Sequence, residues 1–578
     1  MSSTSTNSNV LGHPSGLFVL FFTEMWERFS YYGMRGLLVI FLISEITGTN
    51  PGWGWPREHA LSLLGTYASL VYLTPIIGGY LADKIIGYRY AVAIGALLMT
   101  LGHASMAVET PIFLYIGIAF LILGNGFFKP NMTSIISEMY NDKEDKKDAA
   151  YTIYYMGVNA GAFLGFMICG YLGEKVGWSY GFGLAGIFML LGMLQFWFAK
   201  PIFGNIGDKP VKQESIVEEQ VDTRELNPFT NIDKILIGIF TLFSLLWIFN
   251  DPLDTIGDLP IINFELFGYE GATILVSLAG ACFLLLLILR IPRYTPIVRD
   301  RMAAIVILLL LTIIFWASFE QAAGSLAVYA KDYTNRQLTG SFASIFKIID
   351  ALVTIVPLLI ITWVLIKLFS KTFNKISLSN TILAFSFLII WGIVIFKVVN
   401  EYSIQGTEIP VTWFGILNPL FIISFAPLFS KWWESKFNPS AAVKFGFGLI
   451  LLGLGFGFLV YGSSAIPQGA KTASVSIIWL ILAYLFHTLG ELCISPLGLS
   501  YISKLVPPRM IALMFGVLYI AVAIGNKIAH SLGGMIDQIT AEYSMSKFFL
   551  IFTLIPIGLG IISMLLNPLL KKLMHGIR

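Results

Sequence analysis

Residues 16–43 read GLFVLFFTEMWERFSYYGMRGLLVIFLI, an apolar stretch long enough to cross a bilayer. Its charges are Glu24, Glu27, Arg28 and Arg35. At a membrane helix centre an ionised side chain costs about 2.5 to 3.5 kcal/mol, whereas a Leu, Ile or Phe returns about 0.3 to 0.6 kcal/mol. Such charges persist where they face a protein interior or an aqueous cavity and compensate one another. Helical spacing puts Glu24, Arg28, Tyr31 and Arg35 on one stripe, which predicts a functional helix.

The composition places the whole chain in a membrane. Of its 578 residues, 56% are hydrophobic and 12% charged, and the mean hydropathy is +0.78. Soluble domains contain about 25% charged residues. We therefore predict an all-α polytopic protein surrounded by lipid, with no nucleic-acid partner. The first sixteen residues lack a basic leader, so a cleaved signal peptide is not expected. Cys169, Cys282 and Cys493 lie in apolar spans and are interpreted as packing residues.

A window of about 19 residues finds about sixteen apolar spans. Six lie in 17–199, two in 234–290 and eight in 303–567. The remaining segments are predicted as an N-terminal tail (1–16), a charged linker (200–233) and a C-terminal tail (568–578).

The basic residues of the connections alternate consistently with these spans. Those assigned to one side include Lys84, Arg89, Lys143, Lys146, Lys147, Lys209, Lys212, Arg290, Arg293, Lys367, Lys371, Lys375, Lys431, Lys436, Lys504, Arg509, Lys571, Lys572 and Arg578. By the positive-inside rule this side is cytoplasmic and holds both termini.

The loop after the second span, GGYLADKIIGYRY at 78–90, has a distinctive composition. Gly79 and Gly87 allow close packing and a tight turn, while Asp83 and Arg89 can latch neighbouring helix ends. Taken alone it is also compatible with an ordinary basic turn. It resembles the loop signature of the major facilitator superfamily, which implies two six-helix bundles around a midplane site.

Three other stretches resemble the proton-dependent oligopeptide transporter (POT) family. EMWERFSYYG at 24–33 matches that family's ExxERFxYYG motif, and YTIYYMGVNAG at 151–161 and GELCISPLGLS at 490–500 match two further signatures. The resemblance covers about 17–199 and 303–567. The chain departs from the family pattern by an inserted hairpin at about 343–399, in addition to the hairpin between the bundles at 234–290.

The resemblance implies a site for a zwitterionic peptide. The substrate-binding residues it indicates are Arg28, Tyr32, Arg35, Tyr72, Lys129, Tyr155, Asn159, Asn418, Glu491 and Ser495. The cations would hold the peptide carboxylate and Glu491 the amino group. Alternatively, Tyr72 and Tyr155 are packing tyrosines, and Lys129 and Glu491 belong to structural ion pairs.

Proton coupling needs a titratable group linked to movement, and a carboxylate in a low-dielectric site has its pKa raised unless a cation opposes this. The residues proposed for this role are Glu24, Glu27, Arg28, Lys129 and Glu320. Glu320 is expected to pair with Lys129 across the cavity, or else within its own bundle. Within the second span, the stretch LLGTYASLVYLTP at 63–75 contains no histidine. His487 is either a relay to Glu491 or a packed histidine, because HTLGE lacks a third metal ligand.

These features predict a proton-coupled symporter that imports di- and tripeptides by alternating access, acting as a monomer in a bacterial inner membrane. No enzyme activity, cofactor or metal is expected, because HExxH does not occur and the proton gradient supplies the energy. A channel would need a repeated filter element, and the sequence has none. The remaining alternative is a carrier of the same fold for nitrate, an amino acid or a peptide-like compound.

Overall fold

Helices form nearly all of the protein. The computed structural model describes residues 9–142, 146–209, 227–507 and 510–577. The helices of the first half are α1 (Ser15–Ile43), α2 (Arg57–Leu81), α3 (Tyr88–Met106), α4 (Pro111–Met139), α5 (Lys147–Leu164), α6 (Gly170–Lys175), α7 (Trp178–Phe198) and α8 (Lys200–Phe203). Those of the second half are α9 (Asn231–Gly257), α10 (Gly271–Arg290), α11 (Pro296–Phe319), α12 (Ser325–Asp332), α13 (Gly340–Thr372), α14 (Ser377–Ser403), α15 (Leu417–Glu434), α16 (Ala441–Gly462), α17 (Ile478–Leu505), α18 (Ile511–Gly534), α19 (Ile536–Glu542), α20 (Met545–Leu565) and α21 (Asn567–Leu573).

The strands are confined to three antiparallel pairs of two residues each. They are β1 (Asn9–Val10) with β2 (His13–Pro14), β3 (Glu265–Leu266) with β4 (Tyr269–Glu270), and β5 (Gln337–Leu338) with β6 (Thr407–Glu408). Each pair joins two loop segments, and the described chain contains no larger sheet.

Fourteen helical segments of the described chain are long and apolar enough to cross a bilayer. Two further helices, α1 with 29 residues and α3 with 19, pack among them and bring the set to the predicted sixteen. Helix α1 carries four charges, and for that reason its composition alone does not mark it as a membrane-spanning helix. The predicted all-α membrane fold is confirmed.

Helix α1 lies at the centre of the first bundle, packed against α2, α5 and α7. Its close approach to α5 depends on Gly161, where an added Cβ would lie 2.2 Å from the Met25 carbonyl oxygen. On its other face Trp26 stacks on Phe188 of α7 at a centroid distance of 4.5 Å. These contacts fix the rotation of α1 and thereby the direction of its charged stripe.

Several predicted continuous spans are interrupted. The span at 303–329 consists of α11, a 3₁₀ turn at Glu320–Ala323 and α12. π-helical turns occupy Ala82–Ile86 and Gly165–Cys169, and a 3₁₀ turn at Val411–Ile416 precedes α15. A further 3₁₀ turn, Ile291–Arg293, follows α10. Glu320 therefore lies at a helix break, where the regular hydrogen-bond ladder ends.

Two helical hairpins lie on the outside of the bundles. The hairpin α9–α10 packs against α2, and α14 of the hairpin α13–α14 packs against α7. The Ser379 hydroxyl donates to the Gln195 carbonyl at 2.7 Å, and the Phe387 ring lies 5.7 Å from Trp26. The inserted hairpin thus supports the rear of the α1 helix.

The two ends of the molecule are distinguished here as the basic side, where the turn Ala82–Ile86 lies, and the far side, where Arg57 begins α2. At the far side Arg57 joins α2 to the second bundle through Asp332 at 2.6 Å and Asp537 at 2.5 Å. Near mid-depth the Ser69 hydroxyl donates to the Ala523 carbonyl at 3.1 Å. The seam between α2 and α18 is therefore closed in its far-side half.

A second seam is closed at the same side. The Glu174 carboxylate, at the end of α6, accepts from the backbone of Val411 at 2.7 Å and from the backbone and hydroxyl of Thr412 at 2.8 and 2.7 Å. Lys175 lies 3.7 Å from Glu408. Polar contacts between the two bundles of the described chain thus concentrate between mid-depth and the far side.

Some predicted features lie outside the described residues. They are residues 1–8 of the N-terminal tail, residues 210–226 of the linker, and the cations Lys143, Lys212, Arg509 and Arg578. The rest of the linker and the C-terminal tail through residue 577 are described.

Candidate functional site

A cavity of about 140 Å³ lies between the two bundles. Its walls come from α1, α2, α11, α12, α15 and α17 and from the turns beside them. Of the predicted site residues, it is lined by Tyr32, Arg35, Tyr72, Glu320, Asn418 and Glu491. The side chains of Arg28, Lys129, Tyr155, Asn159 and Ser495 lie outside this lining. The structure therefore groups about half of the predicted substrate residues around one chamber.

Arg28 is held by two buried carboxylates. Its Nε lies 2.7 Å from Glu24 Oε1 and 3.0 Å from Glu27 Oε2, and both glutamates are fully buried. The Tyr154 hydroxyl donates to the second oxygen of Glu24 at 2.5 Å, and the Asn125 amide reaches Glu27 at 3.4 Å. Two carboxylates compete here for one guanidinium. When either carboxylate takes up a proton, the other remains as the counter-ion of Arg28.

Lys129 of α4 faces this group without joining it. Its ammonium lies 4.3 Å from the centre of the Tyr72 ring, a cation–π distance, and its charged neighbours are Arg28 and the carboxylates of Glu27, Glu24 and Glu320. Among the described residues Lys129 has no carboxylate within ion-pair distance. It is therefore a cation available to an anionic group of a ligand.

The expected pair between Glu320 and Lys129 is wrong for this conformation. Glu320 forms its ion pair with Arg35, and the pair joins the two bundles. The reason is depth: at 1.5 Å per residue, Lys129 lies roughly 15 Å from the basic end of α4, whereas Arg35 lies roughly 30 Å along α1 and Glu320 more than 30 Å along α11. The alternative of a pair within one bundle is wrong as well.

Glu491 of α17 lies on the opposite wall. Its carboxylate accepts a hydrogen bond of 2.7 Å from the Asn418 amide, which also donates to Thr488 at 3.1 Å. The Ser495 hydroxyl lies near the same carboxylate, but not in ordinary hydrogen-bond geometry. No Lys or Arg of the described chain lies within ion-pair distance of Glu491. This buried carboxylate therefore lacks a cation.

Comparisons with known proteins concern the chain as a whole. A model of the POT family matches residues 89–222 and 389–551. The chain is 32% identical to the transporter YclF of Bacillus subtilis (strain 168), over 98% of this chain and 96% of that protein.

The chain belongs to the POT family.

Two further similarities concern proteins named for peptides. The chain is 27% identical to the di-/tripeptide transporter of Lactococcus lactis subsp. cremoris, over 99% of both chains. It superposes on the crystal structure of a POT peptide transporter in complex with sulfate with a TM-score of 0.69, at 29% identity, covering 98% of this chain and 97% of that one. The resemblance inferred from the sequence and the major facilitator fold are confirmed.

Two of the residues suggested by the POT signatures lie to one side of the cavity. Tyr155 is half-exposed on α5, and the Asn159 amide donates to the Tyr155 carbonyl at 2.9 Å. Tyr155 and Glu491 are electrostatic neighbours. The ring of Tyr155 is therefore placed on the basic-side approach to Glu491, while the amide of Asn159 is engaged by its own helix.

His487 lines the cavity one helical turn before Glu491 and makes no hydrogen bond to that carboxylate. It is fully buried, its ring centroid lies 4.4 Å from that of Phe456, and neither ring nitrogen has a partner among the described residues. Its ring also fills the space beside Gly455 on α16. In the described part of this POT chain, no three His, Cys, Asp or Glu side chains are grouped closely enough to hold a metal ion.

In the loop at 78–90, the predicted contacts to neighbouring helix ends are made mainly by Arg89. Its backbone N–H donates to Gly207 at 2.9 Å and its guanidinium pairs with Asp208. Gly87 has φ of +81° and an added Cβ there would lie 2.6 Å from the Asp208 carbonyl oxygen. The close helix approach belongs to Gly78, whose Cβ would lie 2.0 Å from the Gly126 carbonyl oxygen, and not to Gly79.

Asp83 makes no ion pair within the described ranges, and its side chain is exposed beside Tyr88. Tyr88 is the first residue of α3, so Asp83 contacts a helix end through this neighbour and not through an ion pair.

Sequence reasoning missed Tyr154, although it lies inside a quoted POT signature. The signal available was helical phase: Tyr154 precedes Gly161 by seven residues, so both face α1. Tyr155 points one position away, toward the opening. Replacing Tyr154 by Phe removes only the hydroxyl that donates to Glu24.

The Tyr154→Phe variant is expected to lower gradient-driven uptake about 10-fold or more, because a hydrogen bond to a charged group contributes about 1.5 to 3 kcal/mol. Initial uptake rates in proteoliposomes measure this. Tyr180→Phe is the matched control, since Tyr180 is exposed on α7. An unchanged rate for Tyr154→Phe would remove this hydroxyl from the coupling site.

Proposed function

We propose that this chain is a proton-coupled symporter that imports di- and tripeptides by alternating access. One observation carries the substrate class: Lys129 and Glu491 are buried or half-buried charges without an ion-pair partner among the described residues, and they lie on opposite bundles. A zwitterion supplies what both lack. Its carboxylate would meet Lys129, and its ammonium would meet Glu491.

The other residues of the site fit the backbone of a short peptide. Tyr32 and Tyr72 line the chamber with hydroxyls and aromatic faces, and Asn418 orients Glu491. Arg35 is a second candidate for the peptide carboxylate, since its present partner Glu320 is itself a carboxylate that a ligand can replace. A nitrate carrier would gain nothing from Glu491. A lone anion therefore explains fewer of the buried charges than a peptide does.

Proton coupling follows from competition for arginine. Glu24, Glu27, Arg28 and Lys129 sum to zero charge with the carboxylates ionised, so adding a proton and a peptide carboxylate together preserves neutrality. A proton on Glu24 or Glu27 would loosen the grip on Arg28 and free it for the substrate. Loss of the proton on the basic side would restore the grip and expel the carboxylate.

The conformation fits one end of such a cycle. With the basic side assigned to the cytoplasm, closure at Arg57 and Glu174 corresponds to an inward-facing state with both termini inside. The proposed carrier has two bundles, 17–199 and 303–567, joined by the linker 200–233 and accompanied by the two hairpins. A monomer in the inner membrane, driven by the proton gradient without a cofactor, is part of the same proposal.

Counterflow exchange tests the substrate class without a proton gradient. Proteoliposomes preloaded with unlabelled Ala-Ala are expected to accumulate labelled Ala-Ala from outside. Excess external Ala-Ala-Ala should compete, whereas nitrate, free alanine and N-acetylated Ala-Ala should not. Competition by nitrate together with no competition by tripeptide would contradict the proposal and favour the anion carrier.

A further inference from the structure

The hairpin α9–α10 has no role in the transport cycle described above, yet it is docked at a sensitive place. Helix α9 packs on α2 of the first bundle and reaches α18 of the second. Most of the hairpin surface faces outward, and only four residues of α9 are buried. Besides apolar packing, its contacts with the bundles include specific polar ones, which is unusual for an element that merely covers a lipid-facing surface.

The first docking point is a carbonyl left without its helical partner. Pro252 lies inside α9 and has no N–H, so the Ile248 carbonyl one turn earlier loses its normal hydrogen bond. The Thr66 hydroxyl of α2 donates to that carbonyl at 3.2 Å. The proline of the hairpin and the threonine of the first bundle therefore complement each other.

The second docking point is a partly buried ion pair. Lys527 of α18 is 1% exposed and pairs with Asp251 of α9. Its ammonium also donates to Thr66 at 3.1 Å and lies 5.8 Å from the centre of the Trp247 ring. The single hydroxyl of Thr66 thus accepts from the second bundle and donates to the hairpin. Three parts of the molecule meet at this node.

The depth of this node determines which side of the carrier it can hold closed. Thr66 lies nine residues from the far end of α2 and Lys527 seven from the far end of α18, or roughly 10 to 14 Å below that surface. This is between the Arg57 ion pairs and the Ser69–Ala523 hydrogen bond. Opening the far side requires α2 and α18 to separate at this level, and separation would break the Lys527–Thr66 bond.

We propose that the α9–α10 hairpin is a clamp on the far-side half of the α2–α18 seam, with Asp251, Lys527 and Thr66 as its fastening. It rests on the alternating-access function proposed above. By holding α2 and α18 together, the clamp favours the far-side-closed state and sets how readily the carrier opens to that side. Lys527 and Asp251 are positioning residues here and need not touch the substrate.

Distance measurements between spin labels test the clamp directly. Labels on Cys residues introduced at Val108 and Tyr543, both exposed at far-side loops of different bundles, report far-side opening. Cys282 is replaced by Ala in this background, because it is partly exposed and would take up label, whereas Cys169 and Cys493 are buried. In Asp251→Asn/Lys527→Met the ratio of far-side-open to far-side-closed protein is expected to rise about 5-fold or more.

A matched pair of single variants keeps the test decisive if the double variant fails to fold. Thr66→Val preserves the shape and removes the hydroxyl, and should raise the open fraction; Thr66→Ser keeps the hydroxyl and should resemble the parent. Unchanged distance distributions in Thr66→Val, or a lowered melting temperature with no change in distances, would overturn the clamp. The measurement uses neither peptide nor proton gradient, so its failure is distinguishable from failure of the proposed function.

Discussion

Glu27→Gln is expected to abolish gradient-driven peptide uptake while peptide exchange continues. Glu27 is fully buried against Arg28, 3.0 Å from its Nε, and has one weak additional donor in Asn125. The amide of glutamine cannot take up a proton, so movement would no longer be linked to the gradient. Glu24 would still neutralise Arg28 at 2.7 Å, which preserves the folded site. We expect driven uptake to fall about 100-fold or more, equivalent to at least 2.7 kcal/mol.

The comparison of two rates in the same proteoliposomes measures this effect. Gradient-driven accumulation should be lost and counterflow should remain within a few-fold of the parent. Glu45→Gln is the control, because Glu45 follows the same helix and is exposed. Full driven uptake by Glu27→Gln would exclude this carboxylate from coupling and would shift the role to Glu24 or Glu320.

Glu491→Gln is expected to weaken peptide binding about 100-fold. The substrate ammonium would lose the carboxylate proposed to receive it, and removing one partner of a buried ion pair costs about 3 kcal/mol or more. The Asn418 amide, now 2.7 Å from the carboxylate, can still donate to the glutamine oxygen, so the local structure is retained. Competition of unlabelled Ala-Ala against a labelled dipeptide gives the apparent affinities.

N-acetylated Ala-Ala identifies the cause of the Glu491→Gln effect. The parent should prefer the free amine strongly, and the variant should bind both compounds about equally. Glu434→Gln, at an exposed position near the basic end of α15, should behave as the parent. A variant that binds more weakly yet keeps the full preference for a free amine would show that Glu491 does not receive the amino group.

Much of the fold could be predicted because membrane insertion constrains sequence strongly. Apolar length, loop charge and three local signatures were enough to indicate sixteen helices and the POT family. The helix breaks were less accessible. Helix α11 ends at Phe319 and Glu320 begins a 3₁₀ turn that Gly324 follows, and no local pattern in 303–329 distinguishes that break from a continuous apolar span.

The sequence indicated which residue types form the site better than it indicated which of those residues pair with each other. Arg35 and Glu320 were both selected, but not as partners, because partner choice depends on depth along helices from different bundles. Tyr154 was overlooked in favour of its neighbour for a similar reason, since the two differ only in rotation about α5. Asp251 and Lys527 could be noticed in the sequence itself, because each is a charge inside or at the edge of an apolar span.

The most direct measurement of the central claim is uptake of labelled Ala-Ala into proteoliposomes of the purified protein, with and without an imposed inward proton gradient. The proposal predicts accumulation above the external concentration only when the gradient is present, and its collapse on adding a protonophore. Equal uptake with and without the gradient, with counterflow intact, would contradict proton coupling and leave a facilitated peptide carrier.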